Sequence, residues 1–238
     1  MKAMILAAGL GTRLKPWTDK HPKALALVNG KSLLERNIQY LQQFGICEVI
    51  INVHHFANQI VAAIEKNKGW GSNISVSDET DTVLETGGGL KKAAHFFQND
   101  NDFVLMNVDV LTDMPFDKMI AAHLSNMPLA TIATTQRKTS RFFLFNEKDE
   151  LCGWRNVETN AEKIARPAKQ YLQKAFSGIH LLNKKIFSYL TQEGKFSMVD
   201  VYLEAAKTET IKSFDHSSSK FIDVGKPVSI MEAERLFV

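Results

Sequence analysis

The residues of this chain best suited to chemistry begin near its amino end. There Leu6-Ala7-Ala8-Gly9-Leu10-Gly11-Thr12-Arg13 is followed ten residues later by Lys23. Small residues after a first strand let the backbone approach a nucleotide with no side chain intervening. Successive backbone N–H groups in such a turn form a concave donor site for phosphate oxygens. The Arg13 fork matches phosphate geometry, and Lys23 adds a compact point charge. Handling of phosphate is the chemistry this set supports. Two better-known loops are excluded. A Walker A loop ends in Gly-Lys-Ser/Thr, whereas Gly11 is followed by Thr12-Arg13. A dinucleotide loop needs a third small residue where Leu14 stands, and an acidic residue where the chain reads Val28-Asn29-Gly30-Lys31.

Two further stretches carry candidates. Glu85-Thr86-Gly87-Gly88-Gly89 would let backbone lie against a flat ring and read its edge, or would simply open a helix. Asn107-Val108-Asp109 follows the apolar run 103–106. If that strand continues, Asn107 and Asp109 share one face, because side chains alternate with period two. Carboxyl ends of strands are where open α/β sheets bind ligands. Neither His nor Cys clusters near these residues, which argues against zinc.

Periodicity supplies the elements that position them. Strands are expected at 3–6, 48–53, 74–77 and 103–107. Ser32-Leu33-Leu34-Glu35 is a capping box opening a helix with Leu34, Ile38 and Leu41 on one face, stopped by Gly45. Further helices are expected through Ile60, Val61 and Ile64, and over 90–97 after the triple glycine. This alternation predicts an α/β fold with a mainly parallel, mixed central sheet covered on both faces. Later strands are expected at 130–135, 141–146, 151–157, 175–182 and 221–224, the second and third joined as a hairpin. Helices are expected over 199–206 and 227–237, with Pro227 in a first turn.

Composition sets the bounds. The 238 residues, 45% hydrophobic and 23% charged with a net charge of +3, suit one domain over 1–238. Its first half, about 1–113, carries the candidate nucleotide-binding loops, and the less regular half, about 114–238, would close around the substrate pocket. No run of Lys and Arg marks a nucleic-acid track. The apolar stretch at the amino end is too short for a signal sequence, and no stretch approaches the roughly 20 apolar residues of a membrane span. Cys47 and Cys152 are isolated, as expected for reduced thiols in a cytoplasmic protein.

The full pattern from Leu6 to Leu14, with Pro16 and then Pro22-Lys23, resembles the amino-terminal signature of the sugar-1-phosphate nucleotidyltransferases. The resemblance implies a three-layer, Rossmann-like nucleotidyltransferase fold and an Mg²⁺-dependent enzyme. Its substrates would be a nucleoside triphosphate, UTP favoured, and a sugar 1-phosphate, N-acetylmuramate 1-phosphate among the candidates. By the same resemblance, Leu6, Ala7, Ala8, Gly9, Gly11, Thr12, Arg13, Lys23, Glu85, Thr86 and Gly87 would bind the nucleotide. Asn107 and Gly178, in Ser177-Gly178-Ile179, would meet the sugar. Asp109 and the Asp223 of Phe221-Ile222-Asp223-Val224-Gly225 would hold the metal, and Arg13, Lys23 and Asp109 would be catalytic. Many relatives carry Glu-Lys-Pro at the sugar, where this chain reads Glu162-Lys163-Ile164-Ala165-Arg166-Pro167.

Two other readings stay open at this stage. A phosphocholine cytidylyltransferase would need an aromatic cage, and Trp17, Trp70 and Trp154 form none that the sequence shows. An inactive sensor would have lost Arg13, Lys23, Asp109 or Asp223, and all are present. His54-His55 is expected as a solvated pair, Trp154-Arg155 as hairpin packing, and 142–145 as a buried or interface strand.

Overall fold

The computed structural model describes residues 1–237; Val238, the last residue of the expected domain, lies outside them. The first half forms β1 (Ala3–Leu6), a small ladder of β2 (Leu27–Val28) and β3 (Lys31–Ser32), α1 (Leu33–Gln42), β4 (Glu48–Val53) and α2 (Ala57–Lys66). It continues with β5 (Asn73–Asp78), α3 (Glu85–Lys92), β6 (Asp102–Asn107) and β7 (Val110–Thr112). The second half adds α4 (Phe116–Asn126), β8 (Ala130–Thr135), β9 (Arg141–Phe145), β10 (Leu151–Asn156) and β11 (Ala161–Ile164). After these come β12 (Leu172–Asn183), α5 (Met198–Ala205), β13 (Ile211–Asp215), β14 (Phe221–Asp223) and α6 (Pro227–Leu236).

The strands β6-β1-β4-β5 are parallel neighbours. β12 pairs antiparallel with β6 and, along its length, with β8 and β9, so the second half joins the same sheet by antiparallel pairing. The sheet is therefore mixed, parallel over β6-β1-β4-β5 and antiparallel around β12. The pairing of β12 with β8 shifts register between Phe176 and His180. Gly178 sits at that break with φ +80°, a conformation open to glycine.

Strand alternation splits the core over two faces. Ala3 and Ile5 of β1, Val49 and Ile51 of β4, and Val104 and Met106 of β6 pack with residues of α1, α2 and α4. Met4, Ile50, Phe103 and Leu105 point the other way and meet Leu90, Phe97, Val201 and Tyr202. Each fully buried aliphatic or aromatic side chain contributes about 1.5–3 kcal/mol of transfer free energy. Two apolar faces on one sheet need two covering layers, and the result is a three-layer, Rossmann-like α/β sandwich.

Local signals explain most elements. Ser32 Oγ accepts from the Glu35 N–H at 3.1 Å, capping α1. The Glu35 carboxylate does not complete a capping box; it accepts from Gln39 Nε2 at 3.1 Å. The expected helix over 90–97 is corrected. α3 starts at Glu85, runs through the three glycines and ends at Lys92, and a separate 3₁₀ turn spans Ala94–Phe97. Glycine in a helix interior costs about 1 kcal/mol per residue, so tertiary packing holds this helix.

Candidate active site

The site gathers where parallel strands end. Leu6 closes β1, and its register partners are Asn52 at the end of β4 and Asn107 at the end of β6. The Asn52 side-chain carbonyl accepts from the Ala7 N–H at 2.7 Å and the Ala8 N–H at 3.3 Å. Its amide donates to Glu79 Oε1 at 2.8 Å, and Glu79 Oε2 accepts from the Leu84 N–H at 3.3 Å. The first loop and the entry to α3 are thus tied through two buried side chains. Burial pushes the Glu79 carboxyl up, and the Asn52 hydrogen bond works against it.

Beyond Ala8, the N–H groups of Gly9, Leu10 and Gly11 have no protein acceptor among the described residues. Gly11 turns with φ +62°; a Cβ there would lie 2.9 Å from the Thr18 methyl and 3.1 Å from Lys23 Cβ. Only glycine fits. The Gly11 carbonyl starts the 3₁₀ turn Thr12–Leu14 that presents Arg13. Lys23 opens a later 3₁₀ turn, Lys23–Leu25, almost fully buried, and its Nζ donates to Asp109.

Asp109 and Asp223 come from distant parts of the chain. β14 pairs antiparallel with β7, setting Asp223 opposite Val110, and the Val224 N–H donates to the Asp109 carbonyl at 2.8 Å. Burial and the neighbouring Asp109 charge push the Asp223 carboxyl up, against Lys23, Arg13 and Arg137. Asp223 Oδ1 is buried without a hydrogen-bond partner, and the Arg13 guanidinium stands 3.9 Å away. Two converging carboxylates, one with an unpartnered oxygen, suit a hard divalent cation that takes its other ligands from phosphate and water. No group of three or more His, Cys, Asp or Glu that could hold a metal occurs among the described residues.

One cavity of about 500 Å³ is lined by Leu6, Ala7, Ala8, Gly9, Gly11, Thr12, Arg13, Lys23, Glu85, Thr86, Asn107 and Asp109. Ala7 and Ala8 contribute wall but not amide donors, since Asn52 takes both. Gly87, Gly178 and Asp223 do not line it. The reason expected for the glycines of the second loop is corrected. A Cβ on Gly87 would lie 2.4 Å from the Phe196 ring, and one on Gly88 would lie 2.3 Å from the Gly194 carbonyl. One on Gly89 would lie 2.7 Å from Glu79. These glycines make room for protein, zipping α3 to the segment before α5, where Gly87 N–H donates to the Phe196 carbonyl and Thr86 Oγ1 accepts from Met198 N–H. Glu85 pairs with Lys195 at 3.3 Å. A Cβ on Gly178 would press on Val110 at 2.6 Å and on the Asn107 amide at 3.0 Å, so Gly178 backs Asn107 rather than the cavity.

Asn52, Val83, Arg141, Ser197 and Gly225 also line the cavity, and sequence reasoning missed them. Asn52 was legible as the one polar residue closing an apolar strand, and Arg141 as a basic residue opening one. His54 and His55 are half-buried rather than solvated, and His54 Nδ1 has no partner. Trp154 packs against the core, Arg155 pairs with Glu162, and 143–145 is a buried strand.

A glycine turn at the end of the first parallel strand, two cations beside it and a converging pair of aspartates, set in this sandwich, define a Rossmann-like nucleotidyltransferase fold. The nucleotidyl transferase family model matches residues 2–237, and the chain belongs to that family. It is 42% identical over 116 residues to N-acetylmuramate alpha-1-phosphate uridylyltransferase of Neisseria meningitidis, covering 49% of this chain and 50% of the relative. It is 27% identical over its whole length to the mannose-1-phosphate guanyltransferase of Yarrowia lipolytica, covering 64% of that protein. These matches span one half to under two thirds of the relatives' own length. The structure of HddC from Yersinia pseudotuberculosis complexed with GMP-PN superposes with a TM-score of 0.77 at 24% identity, covering 100% of this chain and 99% of that one. The resemblance to sugar-1-phosphate nucleotidyltransferases is borne out.

Proposed function

We propose that this protein transfers a nucleoside monophosphate from a nucleoside triphosphate, UTP favoured, to a sugar 1-phosphate, releasing pyrophosphate in the cytoplasm. The observation that carries this reading is the convergence of Arg13, Lys23, Asp109 and Asp223, drawn from three separate stretches of chain, at the ends of β1, β6 and β14.

The reacting groups are both anionic, so bringing them together is the first obstacle. A sugar phosphate is already ionised near neutral pH and needs no general base, which leaves positioning and charge compensation to the protein. The free N–H groups of Gly9 to Gly11 would cradle the triphosphate. Arg13, 59% exposed at the cavity edge, would hold the outer phosphates and stabilise departing pyrophosphate. Lys23 would turn from Asp109 to a phosphate oxygen as substrate arrives. Asp109 and Asp223 would hold Mg²⁺, which would supply positive charge to offset that of the anionic substrates.

Uridine is supported by the 42% match to a uridylyltransferase, and N-acetylmuramate 1-phosphate by the same relative's name. No aromatic side chain is among the residues lining the cavity, so the structure gives no support to a quaternary ammonium acceptor such as phosphocholine. The test is pyrophosphate release with Mg²⁺ across four nucleoside triphosphates and a panel of N-acetylmuramate 1-phosphate, glucose 1-phosphate, heptose 1-phosphate and phosphocholine. Turnover with UTP and a sugar 1-phosphate is expected. Turnover only with CTP and phosphocholine would replace this reading.

A further inference from the structure

The cations around the cavity are not equivalent. Lys23 is bonded to Asp109, Arg13 faces Asp223 at 3.9 Å, and Lys195 is paired with Glu85. Arg141 opens β9 on the cavity wall, and among the described residues its side chain makes no hydrogen bond or ion pair. Four positions earlier on the same connection, Arg137 is half-buried beside the two aspartates. Its Nη2 donates to the Phe176 carbonyl at 3.0 Å, and its guanidinium carbon lies 5.5 Å from the centre of the Phe221 ring. Its Nε is buried with no partner, and no carboxylate comes within 4.0 Å among the described residues.

Arg137 is held on both sides by parts of the site. Phe176 lies two residues before Gly178, which backs Asn107, and Phe221 lies two before Asp223. Burial lowers its pKa, opposed by Asp223 and Asp109 and reinforced by the Arg13 charge. Arginine nonetheless stays protonated at any pH where a protein is folded. A fixed, charged guanidinium with an unpaired N–H is costly unless an anion completes it. Lys163 is no substitute, being bonded to Asp200 at 2.7 Å; of the two arginines, Arg141 lines the cavity and Arg137 does not.

We propose that Arg141 on the cavity wall, backed by the charge of the half-buried Arg137 four residues earlier, forms the anion site for the acceptor's phosphate, distinct from the glycine loop and Arg13 that would face the triphosphate. The assignment rests on the nucleotidyl-transfer reading above and deepens it. Both arginines come from the 136–141 connection in the second half of the chain, whereas the nucleotide-side cations come from the first. Planar forks can bind two oxygens of one phosphate at once, which would leave the third oxygen to attack.

The experiment compares wild type with Arg141→Ala and Arg137→Lys, the second keeping charge and bulk while losing the fork. Arg155→Ala, in the hairpin away from the cavity, is the control. With the acceptor that turns over in the panel above, each site variant should raise acceptor KM by about 10- to 100-fold, the loss of a charge-assisted hydrogen bond. The KM for the triphosphate should stay within about twofold, and Arg155→Ala should match wild type. A rise in triphosphate KM instead, or no change in either constant, overturns the assignment. Titration with inorganic phosphate, followed by ³¹P line broadening, separates this proposal from the reaction itself. If wild type turns over no acceptor but binds phosphate, and both variants lose that binding, the reaction reading fails and the arginine site stands. Equal phosphate binding by all four proteins overturns the site even where turnover is normal.

Discussion

The Nζ of Lys23 donates a hydrogen bond to the carboxylate of Asp109 across 86 residues of chain. Both side chains are largely enclosed, so the pair fixes the carboxylate where a metal would need it. Neither group has another ion-pair partner among the described residues. Removing either should therefore strike the reaction more than the fold. Lys23→Ala and Asp109→Ala are each expected to lower turnover by about 10²–10³-fold with an unchanged far-ultraviolet circular dichroism spectrum. Near-normal rates in either variant would remove these residues from the mechanism.

Asn52 links the glycine loop to Glu79 and the entry to α3 through three hydrogen bonds. Asn52→Ala strands two buried amide donors and a buried carboxylate. It should cost about 1–3 kcal/mol of stability, read by urea unfolding, and should raise the KM for the triphosphate. An unchanged midpoint would show that the loop closes without this tie.

Two glycines should respond in opposite ways. A Cβ on Gly88 would meet the Gly194 carbonyl at 2.3 Å, whereas one on Gly9 would meet nothing within 4 Å. Gly88→Ala is expected to lose about 1–3 kcal/mol through overpacking. Gly9→Ala should leave the melting temperature unchanged and weaken only nucleotide binding, because its free space is where phosphate would sit. Loss of stability in Gly9→Ala would contradict that placement.

Two buried histidines make stability depend on pH. His180 bonds the Tyr202 hydroxyl at 2.7 Å, and burial pulls its pKa down to about 3. His216 bonds Ser177 Oγ at 2.6 Å, and burial pulls it down to about 4. Unfolded, both take up protons below the ordinary value of 6.5. The unfolded chain therefore binds more protons between about pH 6.5 and 4, and stability falls as pH falls through that window. Each histidine contributes a slope approaching about 1.4 kcal/mol per pH unit. Urea unfolding at pH 7, 6 and 5 should show this decline, and a flat profile would contradict it.

Much of this molecule was legible because local rules and tertiary needs agreed. Leu6 to Lys23 announced a glycine turn, which lines the cavity, and the apolar strands at 48–53 and 103–107 formed as their alternation required. What misled was the triple glycine. Its helix propensity is poor, yet Gly87, Gly88 and Gly89 lie inside α3 because Phe196, Gly194 and Glu79 press on them. Phe196 and Gly194 are about a hundred residues away and Glu79 sits just past the end of β5, and no local pattern shows them. α4 escaped notice for a related reason: its apolar residues Phe116, Met119 and Ile120 are spread among exposed polar ones. Asn52 and Arg141 stood out only as polar residues on apolar strands; that they meet at one cavity was not legible, because only the sheet order brings the end of β4 and the start of β9 to the glycine loop.

The most direct measurement supplies UTP labelled at its α-phosphorus together with Mg²⁺ and a sugar 1-phosphate. The expected result is label entering a sugar nucleotide, one for one with unlabelled pyrophosphate, and neither product without acceptor. Label released as UMP or UDP, or remaining in UTP with every acceptor although UTP binds, would contradict nucleotidyl transfer as the function of this site.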